Sequence, residues 1–285
     1  MIVWLASYPK SGNTWVRSFL YSLIFSENGE VNLDDMRKLP QYPLRSNFFG
    51  LADNLEDINV LSKNWISSQN KINFDNKLRF LKTHHIMCNF GKNSFTNYEN
   101  TFGVIQIVRD PRNIITSILN YYNKKNYDEA KEFLFDERKI IGINLANINK
   151  EKLKDNHIIT LISSWKTHYN SWKNFNKNHL LIKYENLINE PNVEFGKIRS
   201  YLETKLSLSF SDEKFSTAIA ANSFTKLKKI ENLRGFAENI DTGADNKKNF
   251  FNLGPENDFN KFLDSKTKED IEKNFSNEMK ELNYL

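Results

Sequence analysis

The chain has 285 residues, of which 39% are hydrophobic and 13% aromatic, enough to bury a substantial core and too apolar for a disordered protein. A net charge of +5 suits an anionic cofactor or acceptor, but the 26% of charged residues carry both signs and make no nucleic-acid footprint. The single cysteine, Cys88, excludes an intramolecular disulfide, and with no leader pattern and no run of about 18 uncharged apolar residues the expectation is a soluble, cytoplasmic protein.

The first predicted element is Ile2-Val3-Trp4-Leu5-Ala6, a nearly continuous apolar run with the pattern of a strand buried on both faces. Residues 14–25 space their large apolar side chains as one face of a helix. Between them stands Ser7-Tyr8-Pro9-Lys10-Ser11-Gly12-Asn13-Thr14-Trp15, a tight loop leading into a helix N-terminus. Such a junction favours an anion, because the first helical turn has unpaired N–H groups and the positive end of the macrodipole. Gly12 permits close backbone approach, Lys10 adds a full charge, and Ser11, Asn13 and Thr14 add side-chain donors. The loop therefore reads as a phosphate cradle, against the alternative of a plain turn carrying a solvated lysine. It departs from the nucleotide-triphosphate pattern G-x-x-x-x-G-K-[ST], since Lys10 precedes Gly12 and no second glycine stands upstream.

Tyr8-Pro9-Lys10-Ser11-Gly12-Asn13-Thr14-Trp15 resembles the 5′-phosphosulfate loop of the cytosolic-type sulfotransferases that use 3′-phosphoadenosine 5′-phosphosulfate (PAPS). Asn13 stands where the family has Thr, which keeps a small polar group. The resemblance implies one α/β domain over residues 1–285, a three-layer αβα sandwich with a mainly parallel central sheet. It also implies PAPS as donor, adenosine 3′,5′-bisphosphate (PAP) as product, and no metal. By the same match Lys10, Ser11, Gly12, Asn13, Thr14 and Trp15 belong to the cofactor site.

Residues 28–76 are polar, with Pro40 and Pro43 and a predicted helix over 58–70. In the family this segment helps form the acceptor pocket, which makes Phe48, Phe49 and Trp65 candidate substrate contacts; core packing is the competing expectation. Leu78-Arg79-Phe80-Leu81-Lys82-Thr83-His84-His85 reads as a strand that puts Lys82 and His84 on one face. It resembles the family's Lys-x-His catalytic strand, which implies His84 as base, Lys82 at the sulfuryl group, and His85 as an uninvolved neighbour.

Gly103-Val104-Ile105-Gln106-Ile107-Val108 is a third strand, and Arg109-Asp110-Pro111-Arg112 leads into a helix over 113–123 with Asp110 as cap and Pro111 at its first position. Arg109 and Ser117 resemble the family's 3′-phosphate ligands; the residues alone equally allow Arg109 to pair with a local carboxylate. Residues 124–156 are charged and weakly patterned, and are expected to form a flap. A helix over 161–177 carries Trp165, Tyr169 and Trp172 as core residues. A fourth strand and a turn follow over 179–187, where the resemblance implies Tyr184 at the adenine, and a further helix begins at Pro191.

Asn222-Ser223-Phe224-Thr225-Lys226-Leu227 resembles the family's adenine-binding segment, with Phe224 stacking opposite Trp15 and Asn222 hydrogen-bonding. Phe250-Phe251-Asn252-Leu253-Gly254 aligns with the family's Phe-x-Arg-Lys-Gly. Gly254 keeps its backbone N–H, but Asn252 and Leu253 replace the two cations that hold the 3′-phosphate. Arg234, Lys247 and Lys248 are the nearby candidates to compensate. The family's dimerisation string is not recognisable, so the oligomeric state stays open.

The function implied is transfer of a sulfuryl group to a hydroxyl or amine on a small molecule, carbohydrate or lipid. The alternatives are a kinase using ATP and magnesium, disfavoured by the position of Lys10, and a non-catalytic PAP-binding protein, favoured by Asn252-Leu253.

Overall fold

The computed structural model describes residues 1–142, 158–175, 177–236 and 249–285. In chain order the elements are β1 (Ile2–Ser7), α1 (Asn13–Ile24), α2 (Ile58–Lys63), α3 (Trp65–Ile72), β2 (Arg79–Thr83), β3 (Asn89–Phe90), β4 (Asn93–Ser94) and β5 (Thr101–Val108). There follow α4 (Pro111–Tyr121), α5 (Tyr127–Phe135), β6 (Ile140–Ile141), β7 (Thr160–Leu161), α6 (Trp165–Asn174), β8 (His179–Lys183), α7 (Tyr184–Asn189) and α8 (Pro191–Leu206). The chain finishes with α9 (Asp212–Ala221), α10 (Phe224–Arg234), α11 (Phe259–Phe262), α12 (Ser265–Asn274) and α13 (Ser276–Glu281). The central parallel sheet has the order β2-β1-β5-β8, and its strands alternate with helices, as in a mixed α/β fold. Of the flap expected over 124–156, residues 124–142 carry α5 and β6, and 143–156 lie outside the described residues. Among the described residues no helix is long and apolar enough to cross a membrane.

The chain divides into two compact units. The first comprises Met1–Tyr8, Pro40–Gln106 and Phe135–Leu181. Its β1 is buried along its whole length and pairs with β2 in a register that sets Ala6 opposite Thr83. Trp4 centres an aromatic core, with Tyr42, Phe95 and Trp172 at ring distances of 5.4, 5.5 and 6.1 Å, and its indole N–H donates to Thr101 Oγ1 at 2.9 Å. Phe48 and Trp65 are fully buried in this core, so they pack it instead of meeting solvent, while Phe49 is exposed. Trp165, Tyr169 and Trp172 are buried as expected.

Three sequence expectations are corrected in this unit. The helix over 58–70 is two helices, because Asn64 closes α2 and its amide donates to the Val60 carbonyl at 2.9 Å, a local bond that competes with the helix ladder. The strand over 78–85 ends at Thr83, whose Oγ1 accepts from the His85 N–H at 3.0 Å, so His84 stands just past the strand. The helix over 161–177 starts only at Trp165, where Ser164 Oγ caps it, and Thr160 and Leu161 pair instead with Ile141 and Ile140.

The second unit comprises Pro9–Leu39, Ile107–Leu134 and Ile182–Leu285. Phe19 stacks on Phe195 at 4.1 Å, with Trp15 and Phe215 meeting this pair edge-on. Asp110 caps α4 by accepting from the Arg112 N–H, with Pro111 at the first helical position, as its sequence implies. Arg112 is an internal brace: it reaches Asp110 at 2.6 Å, Glu272 at 2.6 Å and the Tyr284 carbonyl at 2.7 Å. The turn expected after β8 is a helix, α7, which Tyr184 opens.

Candidate functional site

The second unit gathers most of the residues that the sequence singles out. Lys10 and Gly12 both take left-handed backbone, with φ of 68° and 98°. At Gly12 the reason is steric, since a Cβ would lie 2.6 Å from Tyr184 Cδ2; glycine alone lets that ring pack on the loop. Lys10 adopts the conformation at a cost of about 1–2 kcal/mol, and Arg109 Nη1 holds it by donating to the Lys10 carbonyl at 3.0 Å. The same Nη1 donates to Ser117 Oγ at 3.2 Å, and the guanidinium lies 4.1 Å from the centre of the Tyr184 ring. The eight-residue spacing of Arg109 and Ser117 thus brings them together.

Two donors in this cluster stand out. Ser11 Oγ and Arg109 Nε are buried and have no hydrogen-bond partner among the described residues. Buried polar atoms are normally satisfied, so a ligand rich in acceptor oxygens is the chemistry that matches them. Asn13, Thr14 and Trp15 form the first turn of α1, whose N–H groups and dipole favour the same kind of ligand. The residues present therefore fit a phosphate-bearing cofactor.

Trp15 and Phe224, which the resemblance assigns to the adenine, are neighbours. Trp15 and Phe224 meet edge-to-face, 6.2 Å apart at 67°, whereas a base held between two faces needs parallel rings about 7 Å apart. Trp15 Nε1 donates instead to the Asn222 carbonyl at 2.6 Å, and the Asn222 amide donates to Ser22 Oγ and the Ala218 carbonyl. Asn222 Oδ1 is buried without a hydrogen-bond partner among the described residues. Gly254, at φ 56°, lies beneath the Phe224 ring, where a Cβ would come within 2.2 Å of Cζ.

Sequence reasoning missed several contacts in this unit. Lys10 Nζ lies over the rings of Tyr121 at 3.8 Å and Phe250 at 4.0 Å. Lys228 Nζ donates to the Asn252 carbonyl at 2.9 Å. Arg234, one of the three expected substitutes, is exposed at the end of α10; Lys247 and Lys248 lie outside the described residues. Glu185 Oε1 accepts from the Asp110 N–H at 2.9 Å, bracing the backbone beside Arg109, and burial raises its carboxyl above the usual range.

The first unit carries the histidines. His84 is half-buried, and its Nδ1 lies 2.7 Å from the Ser7 carbonyl. A carbonyl only accepts, so Nδ1 bears a proton and the ring is oriented by Ser7. His85 is fully buried, stacked on Phe95 at 4.1 Å, and donates to the Ile86 carbonyl; burial pushes it down to about 3. His168 is pushed down to about 3 for the same reason. Lys82 ties its strand to the segment before it, with its N–H donating to the Pro40 carbonyl and its carbonyl accepting from the Tyr42 N–H. Among the described residues, no group of three or more His, Cys, Asp or Glu side chains is placed to hold a metal ion.

A parallel α/β sheet whose first strand runs through a cationic loop into a helix N-terminus defines a protein built to hold a phosphate-bearing ligand. Within that class the chain belongs to the sulfotransferase domain family, whose model matches residues 2–283. No curated protein matches it in sequence. Its fold is similar to that of mouse sulfotransferase SULT7A1 complexed with PAP, at a TM-score of 0.59 and 18% identity over 97% of this chain and 83% of that one. It is also similar to retinol dehydratase in complex with androsterone and the inactive cofactor PAP, at a TM-score of 0.58 and 14% identity over 98% and 80% of the two chains. The same enzyme with retinol and PAP gives a TM-score of 0.54 and 15% identity over 98% and 81%.

Proposed function

We propose that the two units act as one sulfotransferase domain, transferring a sulfuryl group from PAPS to a hydroxyl or amine with His84 as the base. The observation that carries this reading is the pair of buried donors, Ser11 Oγ and Arg109 Nε. They belong to residues that the family resemblance assigns to opposite phosphate ends of the donor, Ser11 to the 5′ and Arg109 to the 3′ end. The PAP present in the structurally similar enzymes supports the same cofactor.

When bound, PAPS supplies the sulfuryl group: a sulfur–oxygen bond to its phosphate breaks as the acceptor oxygen bonds to sulfur, and PAP departs. Lys10 and the N–H groups of Asn13 and Thr14, at the N-terminus of α1, hold the 5′ end and offset the charge that grows on the leaving oxygen. Losing one such preorganised donor typically costs about 10²–10³ in rate. Arg109 and Ser117 hold the 3′-phosphate, and the Gly254 N–H is a further donor to the cofactor. Lys82 assists at the sulfuryl group. His84 Nε2 takes the acceptor proton. Gly12 and Tyr184 keep the loop closed on the ligand, while Phe224 offers the adenine one stacking face and Asn222 Oδ1 an acceptor.

Androsterone and retinol, bound by the similar retinol dehydratase, support a small-molecule hydroxyl as acceptor. The test is incubation with sulfur-labelled PAPS and a panel of phenols, sterols, sugars, lipids and peptides. Label is expected to appear on a hydroxyl acceptor; a panel left unlabelled by protein that binds PAP would favour the non-catalytic reading suggested by Asn252-Leu253.

A further inference from the structure

Lys10 does not stand alone at the mouth of its loop. Its ammonium is 3.8 Å from the Tyr121 ring centre and 4.0 Å from that of Phe250, and those two rings stand at 89° to each other, 6.0 Å apart. An ammonium against two aromatic faces is attracted by both quadrupoles and is restricted in where its long stem can carry it. One wall of this cradle, Tyr121, is fixed on α4. The other, Phe250, lies outside any helix or strand and needs a separate anchor.

α10 provides that anchor. The Glu231 carboxylate, 3% exposed, accepts from the backbone N–H of Phe250 at 2.6 Å through Oε1 and from that of Phe251 at 2.8 Å through Oε2. One turn earlier, Lys228 donates to the carbonyl of Asn252. A carboxylate taking two N–H groups and an ammonium taking the next carbonyl grip three successive residues from a single helix face. Phe236 and Phe251 pack edge-on against the Phe250 ring, at 5.3 and 5.4 Å, and fix its plane.

We propose that Tyr121 and Phe250 form an aromatic cradle that aims the Lys10 ammonium, and that Glu231 is a positioning residue which sets this cradle by clamping the Phe250 backbone. The proposal rests on the phosphosulfate reading of the loop for its functional consequence, but its geometry can be tested separately. It gives Phe250 and Glu231, neither of which reaches the phosphate loop in sequence, an effect on donor binding that passes through Lys10.

The experiment uses the full chain in two measurements. In protein labelled with ¹³C-lysine, the Lys10 ε-methylene signal, assigned by its loss in Lys10→Arg, is expected upfield from ring currents. It should move to the ordinary lysine position in Phe250→Leu, move part of the way in Glu231→Gln, and stay in place in Phe250→Tyr. By calorimetry, Phe250→Leu and Glu231→Gln are each expected to weaken PAP binding by about three- to thirtyfold, and to cause no further loss in a Lys10→Ala background. An ordinary Lys10 signal in the wild type, or equal losses with and without Lys10, overturns the inference while PAP binding stands. A wild type that shows the upfield signal but binds no PAP overturns the phosphosulfate reading, and the role in donor binding with it.

Discussion

The cations of the second unit and the histidines of the first are both built into polar sites, but by opposite means. Arg109 donates through Nη1 to the Lys10 carbonyl and Ser117, and its Nε is a buried donor with no hydrogen-bond partner among the described residues. Lys10 Nζ lies over two ring faces, whose quadrupoles attract an ammonium. The histidines are instead pinned by backbone carbonyls: His84 Nδ1 by Ser7 and His85 Nδ1 by Ile86. His85 and His168 are neutral because burial makes their charged forms costly, whereas His84 is half-buried. Anion binding needs fixed charge, and proton transfer needs a neutral imidazole with a defined lone pair.

The sharpest way to break this comparison is at His84. His84→Ala is expected to lower sulfuryl transfer by about 10²–10⁴ while leaving PAP affinity within about twofold, measured by labelled transfer and calorimetry on one preparation. Equal transfer by the variant would remove the histidine from the chemistry.

Next in size is the acid response of the two buried histidines. Their folded values, about 3, lie below the unfolded value of 6.5. The unfolded chain therefore takes up protons first as pH falls, so the stability contributed above pH 6.5 is lost progressively between about 6.5 and 3. At pH 5 the loss is about 2 kcal/mol for each histidine. Urea denaturation at pH 7 and pH 5 should show it, and His85→Phe should reduce the difference. A pH-independent midpoint would mean that these imidazoles are not buried neutral.

The smallest effect concerns the cation missing at Asn252-Leu253. Lys228→Ala is expected to weaken PAP binding by only about two- to fivefold, since its bond to the Asn252 carbonyl is exposed. A loss approaching a hundredfold would instead make Lys228 the principal 3′-phosphate cation.

What could be seen in the sequence divides along contact range. β1, the loop and α1 form one continuous stretch whose burial and spacing state the junction outright. Asp110, Pro111 and Ser117 lie within one helix of Arg109, so their arrangement follows from helical geometry. The packing of Tyr184 on Gly12 and of Phe250 on Lys10 joins segments far apart in the chain, and no local pattern encodes such pairs. Local errors had local causes. Asn64 interrupts a helical pattern through its own side chain, and Ser164 caps α6 so that it starts at Trp165, four residues later than the periodicity. Trp15 and Phe224, paired by motif, are neighbours at 6.2 Å, but a motif carries no information about ring angle.

The account stands most directly on a paired calorimetric titration of the wild type and Arg109→Ala with PAP and with ATP-Mg. PAP is expected to bind the wild type, to bind Arg109→Ala about ten- to a hundredfold more weakly, and to be undisturbed by ATP-Mg. Binding of ATP-Mg in preference to PAP, or a PAP affinity indifferent to Arg109, would contradict it.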